Sequence, residues 1–302
     1  MKYLTELQKI KCVVSAECID MPARLDASLE PTQRRRIYAL LKNVDVYRIV
    51  YKVGTLNVVG YVALPHTGEK VPCLIHLRGG VGDFAMLTTR AIIGQMVKYA
   101  REGYVVIGTQ YPGVEGGDGT DTMGGIDDIA SIKKLRDILK GISIADATNI
   151  GVKGHSRGGL MTYMLMREVS WVKTAVIASA PTDQISWAKE RAEFRAYQIR
   201  MWGKSRKETI RRSPMQWVDA LSKKVSLLIM HGSADIRVDA SQSISMVHAL
   251  YTRGIPTRFI LFEGADHNLS EFRDEHFVQT LNWCNRFLKQ NVPLPNMKLH
   301  GE

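Results

Sequence analysis

Gly154-His155-Ser156-Arg157-Gly158 is the stretch whose residue types and spacing point most directly to chemistry. A serine between two glycines, each two residues away, fits a tight strained turn that lifts its hydroxyl clear of the backbone, where bulkier neighbours would collide. Such a hydroxyl can attack a carbonyl carbon, but at neutral pH it needs a base within hydrogen-bond reach and a carboxylate that fixes the base's tautomer. On a strand-to-helix turn of this kind the partners follow in the order serine, acid, histidine. An apolar run ending at Met230 leads into His231-Gly232-Ser233-Ala234-Asp235, and one ending at Phe262 leads into Glu263-Gly264-Ala265-Asp266-His267. Ser156 is therefore read as nucleophile, His267 as general base and Asp235 as the orienting acid. Attack also creates an oxyanion, and losing one donor to it costs about 10²- to 10³-fold in rate. The amide of Arg157 is the expected first donor, and the backbone of Arg78 or Gly79, in His76-Leu77-Arg78-Gly79-Gly80, the second.

Rivals exist for each role. Asp239 opens a helix and reads as a capping residue. Asp266 is the second choice for the acid and is otherwise a loop residue. His155 and His231 adjoin the serine or a motif glycine and read as structural, His248 lies within a helix, and His76 ends a strand. Glu115, Asp118 and Asp121 sit in a glycine-rich loop where they could hold an ammonium group, although turn residues without a ligand are the better reading. Arg191, Arg195 and Arg200 could hold a carboxylate, with a solvated helix face preferred.

The elements that must position these residues alternate. Val46 to Lys52 and Leu56 to Ala63 read as a hairpin turning at Gly54, followed by a short buried strand, Cys73 to Leu77. Ile92, Met96, Val97 and Ala100 fall at helical spacing, and Tyr104 to Ile107 forms the next strand. Ile126, Ile129, Ile132, Leu135 and Leu139 make a helical stripe, with Asp127 and Asp128 at its start and Lys140 near its end, as the helix dipole favours. Ile150 to Lys153 reads as the strand before the serine, and Gly159 to Arg167 as the helix after it. Strands are expected at Thr174 to Ala178, Val225 to Met230 and Thr257 to Phe262. One helix carries Ile244, Val247 and Leu250, and a last one Phe277, Leu281, Cys284 and Leu288. This alternation implies an α/β fold with a mostly parallel central sheet, helices on both faces, and active loops at the strands' carboxyl ends. Residues 1–45 are read as a helical extension with a helix at Gln33 to Leu41, and 46–302 as one catalytic domain. Residues 183–224 interrupt the alternation as a helical, lid-like insertion.

Composition narrows the classes. The chain has 302 residues, 45% hydrophobic and 24% charged, enough for one large core. Its formal charge of +11 is spread along the chain without an aromatic-interleaved module, so nucleic acid is not the expected partner. The 183–224 segment holds 11 Lys and Arg against 5 Asp and Glu. No run approaches the roughly 20 apolar residues that span a bilayer. Cys12, Cys18, Cys73 and Cys284 lack metal-site spacing, and the N-terminus lacks a signal-peptide core. The expectation is a cytoplasmic protein with no metal and no cofactor, acting on a small molecule or short peptide. Assembly into a homo-oligomer is left open.

Taken together, Arg78-Gly79-Gly80, Gln110-Tyr111-Pro112 with Gly116-Gly117-Asp118-Gly119, Gly154 to Gly159, His231 to Asp235 and Gly264 to His267 resemble the catalytic domain of the prolyl oligopeptidase family of serine peptidases. The resemblance runs from about Val46 to His300, and the 32 residues from Asp235 to His267 suit it. It implies the α/β-hydrolase fold, the roles given above and cleavage of peptide or amide bonds in short substrates through an acyl-enzyme. Larger members carry an N-terminal β-propeller, whereas here about 45 residues precede the sheet, so the resemblance is to the catalytic domain alone. Several relatives use a tyrosine side chain as second oxyanion donor; Arg78 stands at the matching place, which implies a hole built from backbone. A carboxylesterase would use the same triad. A thioesterase or dienelactone-hydrolase relative is disfavoured, since the latter has cysteine where Ser156 stands. A non-catalytic binding protein on this scaffold is the alternative of another class.

Overall fold

A computed structural model describes residues 3–25, 29–298 and 300–301. The chain divides into two compact units, the first made of residues 1–121 and 125–150, the second of 122–124 and 151–302.

The first unit opens with α1 (Leu4–Lys9) and β1 (Val13–Cys18), then a 3-10 turn (Pro22–Arg24) and α2 (Pro31–Leu41). Next come β2 (Val44–Val53), β3 (Leu56–Pro65), β4 (Val71–Leu77) and a helix built as α3 (Thr89–Ile92), a π-helical stretch (Ile93–Val97) and α4 (Lys98–Arg101). It continues with β5 (Val105–Thr109), α5 (Ile126–Lys140) and the start of β6 (Ala145–His155). Its strands lie in the order β1-β2-β3-β5-β4, followed by the first half of β6. β1/β2, β2/β3 and β3/β5 pair antiparallel, and β4/β5 pair parallel. The β2–β3 link is two residues long, and Gly54 supplies the φ of +59° that such a link demands. β1 was not read from sequence: it is short, half exposed and bulged between Val13 and Ser15, so it lacks a clean apolar alternation. In α5, Asp128 accepts a hydrogen bond from the Gly125 N–H at 2.8 Å and caps the helix start. Ile126, expected on the buried stripe, is 82% exposed, because it occupies the first position of α5, before the turn that meets the sheet.

The second unit takes up the end of β6 and continues through α6 (Arg157–Glu168), β7 (Val172–Ala178), β8 (Ser226–Gly232), α10 (Ser241–Thr252), β9 (Thr257–Phe262) and α11 (Arg273–Cys284), which runs into a π-helical stretch (Asn285–Lys289). Between β7 and β8 lie α7 (Gln184–Glu190), α8 (Ala192–Trp202), α9 (Arg206–Arg211) and a 3-10 segment (Pro214–Ala220), so the 183–224 stretch is helical. Its strand order is β6-β7-β8-β9, with β7/β8 and β8/β9 parallel. β8 is buried along its whole length, as a parallel strand covered on both faces should be. On α10 the buried face is Gln242, Ser243, Met246, Ala249 and Leu250, whereas Ile244 is 47% exposed; only Leu250 of the expected stripe is fully buried.

Candidate active site

Ser156 is the single residue between β6 and α6, and it adopts φ 56° and ψ −123°. A non-glycine residue held there bears strain of about 1–3 kcal/mol. The turn is over-determined around it. The Ser156 N–H donates to Ala178 O at 2.7 Å, and Gly159 N–H and Leu160 N–H both donate to Ser156 O. A Cβ on Gly154 would lie 2.1 Å from Gly158 O, and one on Gly159 would lie 2.6 Å from Ala180 Cβ, so neither position admits a side chain without displacing backbone or core.

Parallel pairing brings the strand ends, and hence their loops, together. Ser179 N–H donates to Met230 O at 2.9 Å, Ser233 N–H to Phe262 O at 2.9 Å and Ala234 N–H to Ala265 O at 3.0 Å. The first ties the end of β7 to β8, and the other two stitch the loop after β8 that carries Asp235 to the loop after β9 that carries His267. Gly232 is forced to be glycine, since a Cβ there would meet Ala265 O at 2.3 Å.

Within this frame His267 bridges the other two candidates. Its Nδ1 lies 2.7 Å from Asp235 Oδ2 and its Nε2 lies 2.9 Å from Ser156 Oγ. A carboxylate facing Nδ1 accepts the proton there, which leaves Nε2 as the lone-pair nitrogen toward the serine hydroxyl. Asp235 Oδ1 accepts the N–H groups of Arg237 at 2.8 Å and Val238 at 3.0 Å, and Oδ2 also lies 3.1 Å from His231 Nε2. Burial by itself would raise this carboxyl's pKa. The hydrogen bonds from His231 and His267, and the latter's charge when protonated, outweigh burial and hold it well below the usual carboxylate range. His155, from the serine turn itself, donates from Nε2 to His267 O at 2.7 Å and fixes the backbone of the histidine loop. Burial, then the neighbouring His267, lower the His155 pKa to about 4, so that ring is neutral near pH 7.

The rival acids are engaged elsewhere. Asp266 folds back on its own turn, accepting Asn268 N–H and Ser270 N–H at 2.9 Å each, and Asp239 accepts Ser241 N–H at 2.8 Å. Arg157 is the first residue of α6 and directly follows Ser156, so its amide lies at the N-terminal end of that helix.

Arg78 and Gly79 open the loop after β4 in the first unit. The Arg78 side chain, 2% exposed, is spent on that loop and on the end of β5, donating to Gln110 O at 2.6 Å, Gly82 O at 2.9 Å, Gly79 O at 3.1 Å and Phe84 O at 3.2 Å. The acidic residues of the glycine-rich loop are likewise occupied. Glu115 accepts from Tyr61 Oη at 2.7 Å, Arg48 Nε at 2.8 Å and Gln110 Nε2 at 2.6 Å. Asp118 accepts from Asn57, and Asp121 from the Gly82 N–H at 2.9 Å. In the insertion, Arg195 and Arg200 are exposed, while Arg191 turns inward, donating to Ile236 O and Arg237 O beside the acid. Trp187 Nε1 also donates to Arg237 O, at 3.1 Å. Sequence reasoning missed this tether, and it missed His231 as a partner of Asp235; the spacing of four residues across Gly232 was the available signal for the latter.

The sequence profile of the Prolyl oligopeptidase family matches residues 94–291. The chain belongs to that family. As a member it is a serine hydrolase with the α/β-hydrolase fold, as the motifs implied. It is 26% identical over 222 residues to an uncharacterized peptidase of Bacillus subtilis, YtmA, covering 72% of this chain and 81% of that one. It is 27% identical over 160 residues to the human acylamino-acid-releasing enzyme, covering 47% of this chain but 21% of that one. Among solved structures, the Pyrococcus horikoshii acylaminoacyl peptidase superposes with a TM-score of 0.74 at 19% identity, over 87% of this chain and 44% of that one. The chain thus spans most of YtmA but less than half of the two larger relatives. Among the described residues no helix is long and apolar enough to cross a membrane.

Proposed function

We propose that this family member cleaves peptide or amide bonds of short substrates through an acyl-enzyme, with Ser156 as nucleophile, His267 as general base and then acid, and Asp235 as the orienting carboxylate. The observation that carries the assignment is the His267 bridge, 2.7 Å from Asp235 and 2.9 Å from Ser156. His267 Nε2 takes the hydroxyl proton as Ser156 Oγ attacks the carbonyl carbon, and the Arg157 amide donates to the oxyanion that forms. Collapse of the tetrahedral intermediate breaks the C–N bond while Nε2 returns the proton to the departing amine. Water then attacks the ester by the same route, regenerating the hydroxyl. Asp235 stays ionised throughout and stabilises the imidazolium.

A relative named as an acylamino-acid-releasing enzyme supports N-acylated aminoacyl amides, beside free aminoacyl amides, as the first substrate classes to test. The proposed setting is the cytoplasm, where the four free thiols suit a reducing medium. A fluorophosphonate should label the chain at Ser156, and Ser156→Ala should abolish labelling and reduce turnover by on the order of 10⁶-fold. A panel of aminoacyl nitroanilides, blocked peptides and nitrophenyl esters, ranked by kcat/KM, then decides the class. Preference for the amides supports the peptidase; turnover of esters alone would make it a carboxylesterase; no labelling at all would make it a binding protein.

A further inference from the structure

Asp235 is met by more than the histidine assigned to it. His231, the penultimate residue of β8, is fully buried. Its Nε2 lies 3.1 Å from Asp235 Oδ2 and 2.9 Å from Val238 O. Both of those atoms can only accept, since a carbonyl carries no proton and the carboxyl is held ionised by its surroundings. The proton therefore sits on Nε2. On the other side of the ring, Nδ1 lies 2.7 Å from the hydroxyl of Ser243, near the start of α10. With the Nε2 proton fixed by its two acceptors, the Ser243 hydroxyl can donate to Nδ1 and so holds the far edge of the ring in place.

A carboxylate offers about four acceptor directions, and here four donors fill them: the amides of Arg237 and Val238 on Oδ1, and the two imidazoles on Oδ2. Turning Asp235 away from His267 would break bonds on both oxygens. The titratable groups around His231 are Asp235 and Asp239 on the following loop, His155 on β6 and His267 on the loop after β9.

We infer that His231 is a positioning residue of the hydrolytic relay, donating to Asp235 Oδ2 so that this oxygen faces His267 and shares its charge between two rings, with Ser243 holding the other nitrogen of the ring. This rests on the assignment of Ser156, His267 and Asp235 made above. Sharing has a direction: with His231 removed, Oδ2 serves the Nδ1–H of His267 alone.

The test compares His231→Ala, His231→Gln and Ser243→Ala with the unaltered protein on the best substrate of the panel, after thermal melts have shown each variant folded at the assay temperature. Loss of a hydrogen bond to a charged group corresponds to about a 10- to 100-fold change. His231→Ala should therefore lower kcat by that factor with KM changed less than about twofold, and should move the acidic limb of the kcat/KM profile to higher pH. His231→Gln, which keeps an N–H donor, should recover part of the loss, and Ser243→Ala should show a smaller loss in the same direction. A pH profile that stays in place, or a loss that only tracks the folded fraction, would overturn the inference. Failure of the underlying hydrolase assignment reads differently: the unaltered protein would then not label at all, or its labelling would persist in Ser156→Ala.

Discussion

At the residue scale, the proposed relay depends on which atoms of one carboxylate face which donors. Asp235 and Asp266 both lie near His267 in sequence or space, yet only Asp235 bonds its ring, while Asp266 caps a surface turn. Asp235→Asn should consequently lower kcat by about 10⁴-fold with the fold retained, since an amide supports the wrong imidazole tautomer. Asp266→Asn should stay within about threefold, and steady-state kinetics on both variants check the pair; the reverse ranking would move the acid. That Ser156, Asp235 and His267 would converge was legible in the sequence, because each sits in a short motif at the end of an apolar run. The engagement of Glu115 with Arg48 and Tyr61 was not legible, because these partners lie 67 and 54 residues away and no local pattern joins them. Ordering the loop by such remote bonds is a matter of packing, which a single sequence records only as scattered polar residues.

At the element scale, parallel strands deliver the loops and the helical insertion braces one of them. Trp187 on α7 is buried and donates its ring N–H to Arg237 O, two residues beyond the acid, whose own amide holds Asp235 Oδ1. Trp187→Phe keeps an aromatic ring, although a smaller one, and removes that donor. Loss of one neutral hydrogen bond corresponds to about 3- to 10-fold, so kcat should fall by that amount, and stopped-time assays under saturating substrate would read it. An unchanged kcat would mean the loop holds its shape without the insertion. Most strands were legible to within two residues, as Cys73 to Leu77 against Val71–Leu77 illustrates, whereas β6 begins at Ala145, five residues before the expected Ile150. Helix faces were less so. The α10 stripe was misread because Gln242 and Ser243 are buried for hydrogen bonding, to the backbone of Thr182 and to His231, rather than for hydrophobicity.

At the scale of the whole molecule, global stability should carry a signature of Lys153. This β6 residue is 5% exposed, and burial lowers its pKa from about 10.5 to about 7. Below pH 7 folded and unfolded chains both hold the proton, and the fold bears the full cost of a buried cation, on the order of a few kcal/mol. Between pH 7 and 10.5 the folded chain releases its proton first, so the cost fades as pH rises. Lys153→Met should thus raise the denaturation midpoint most near pH 6, and the gain should shrink by about half by pH 9; a gain independent of pH would refute a charged lysine in the fold. At the margin of the first unit's sheet, β1 stands between solvent and the ten residues of β2. Being short and bulged, it is a poor template for a stranger's strand, whereas an uncovered β2 would be long, regular and rich in unpaired amides and carbonyls. The modest first strand thereby works as a stopper against clumping: a chain shortened to begin at residue 20 should form concentration-dependent dimers or larger species in sedimentation velocity, where the full chain does so less.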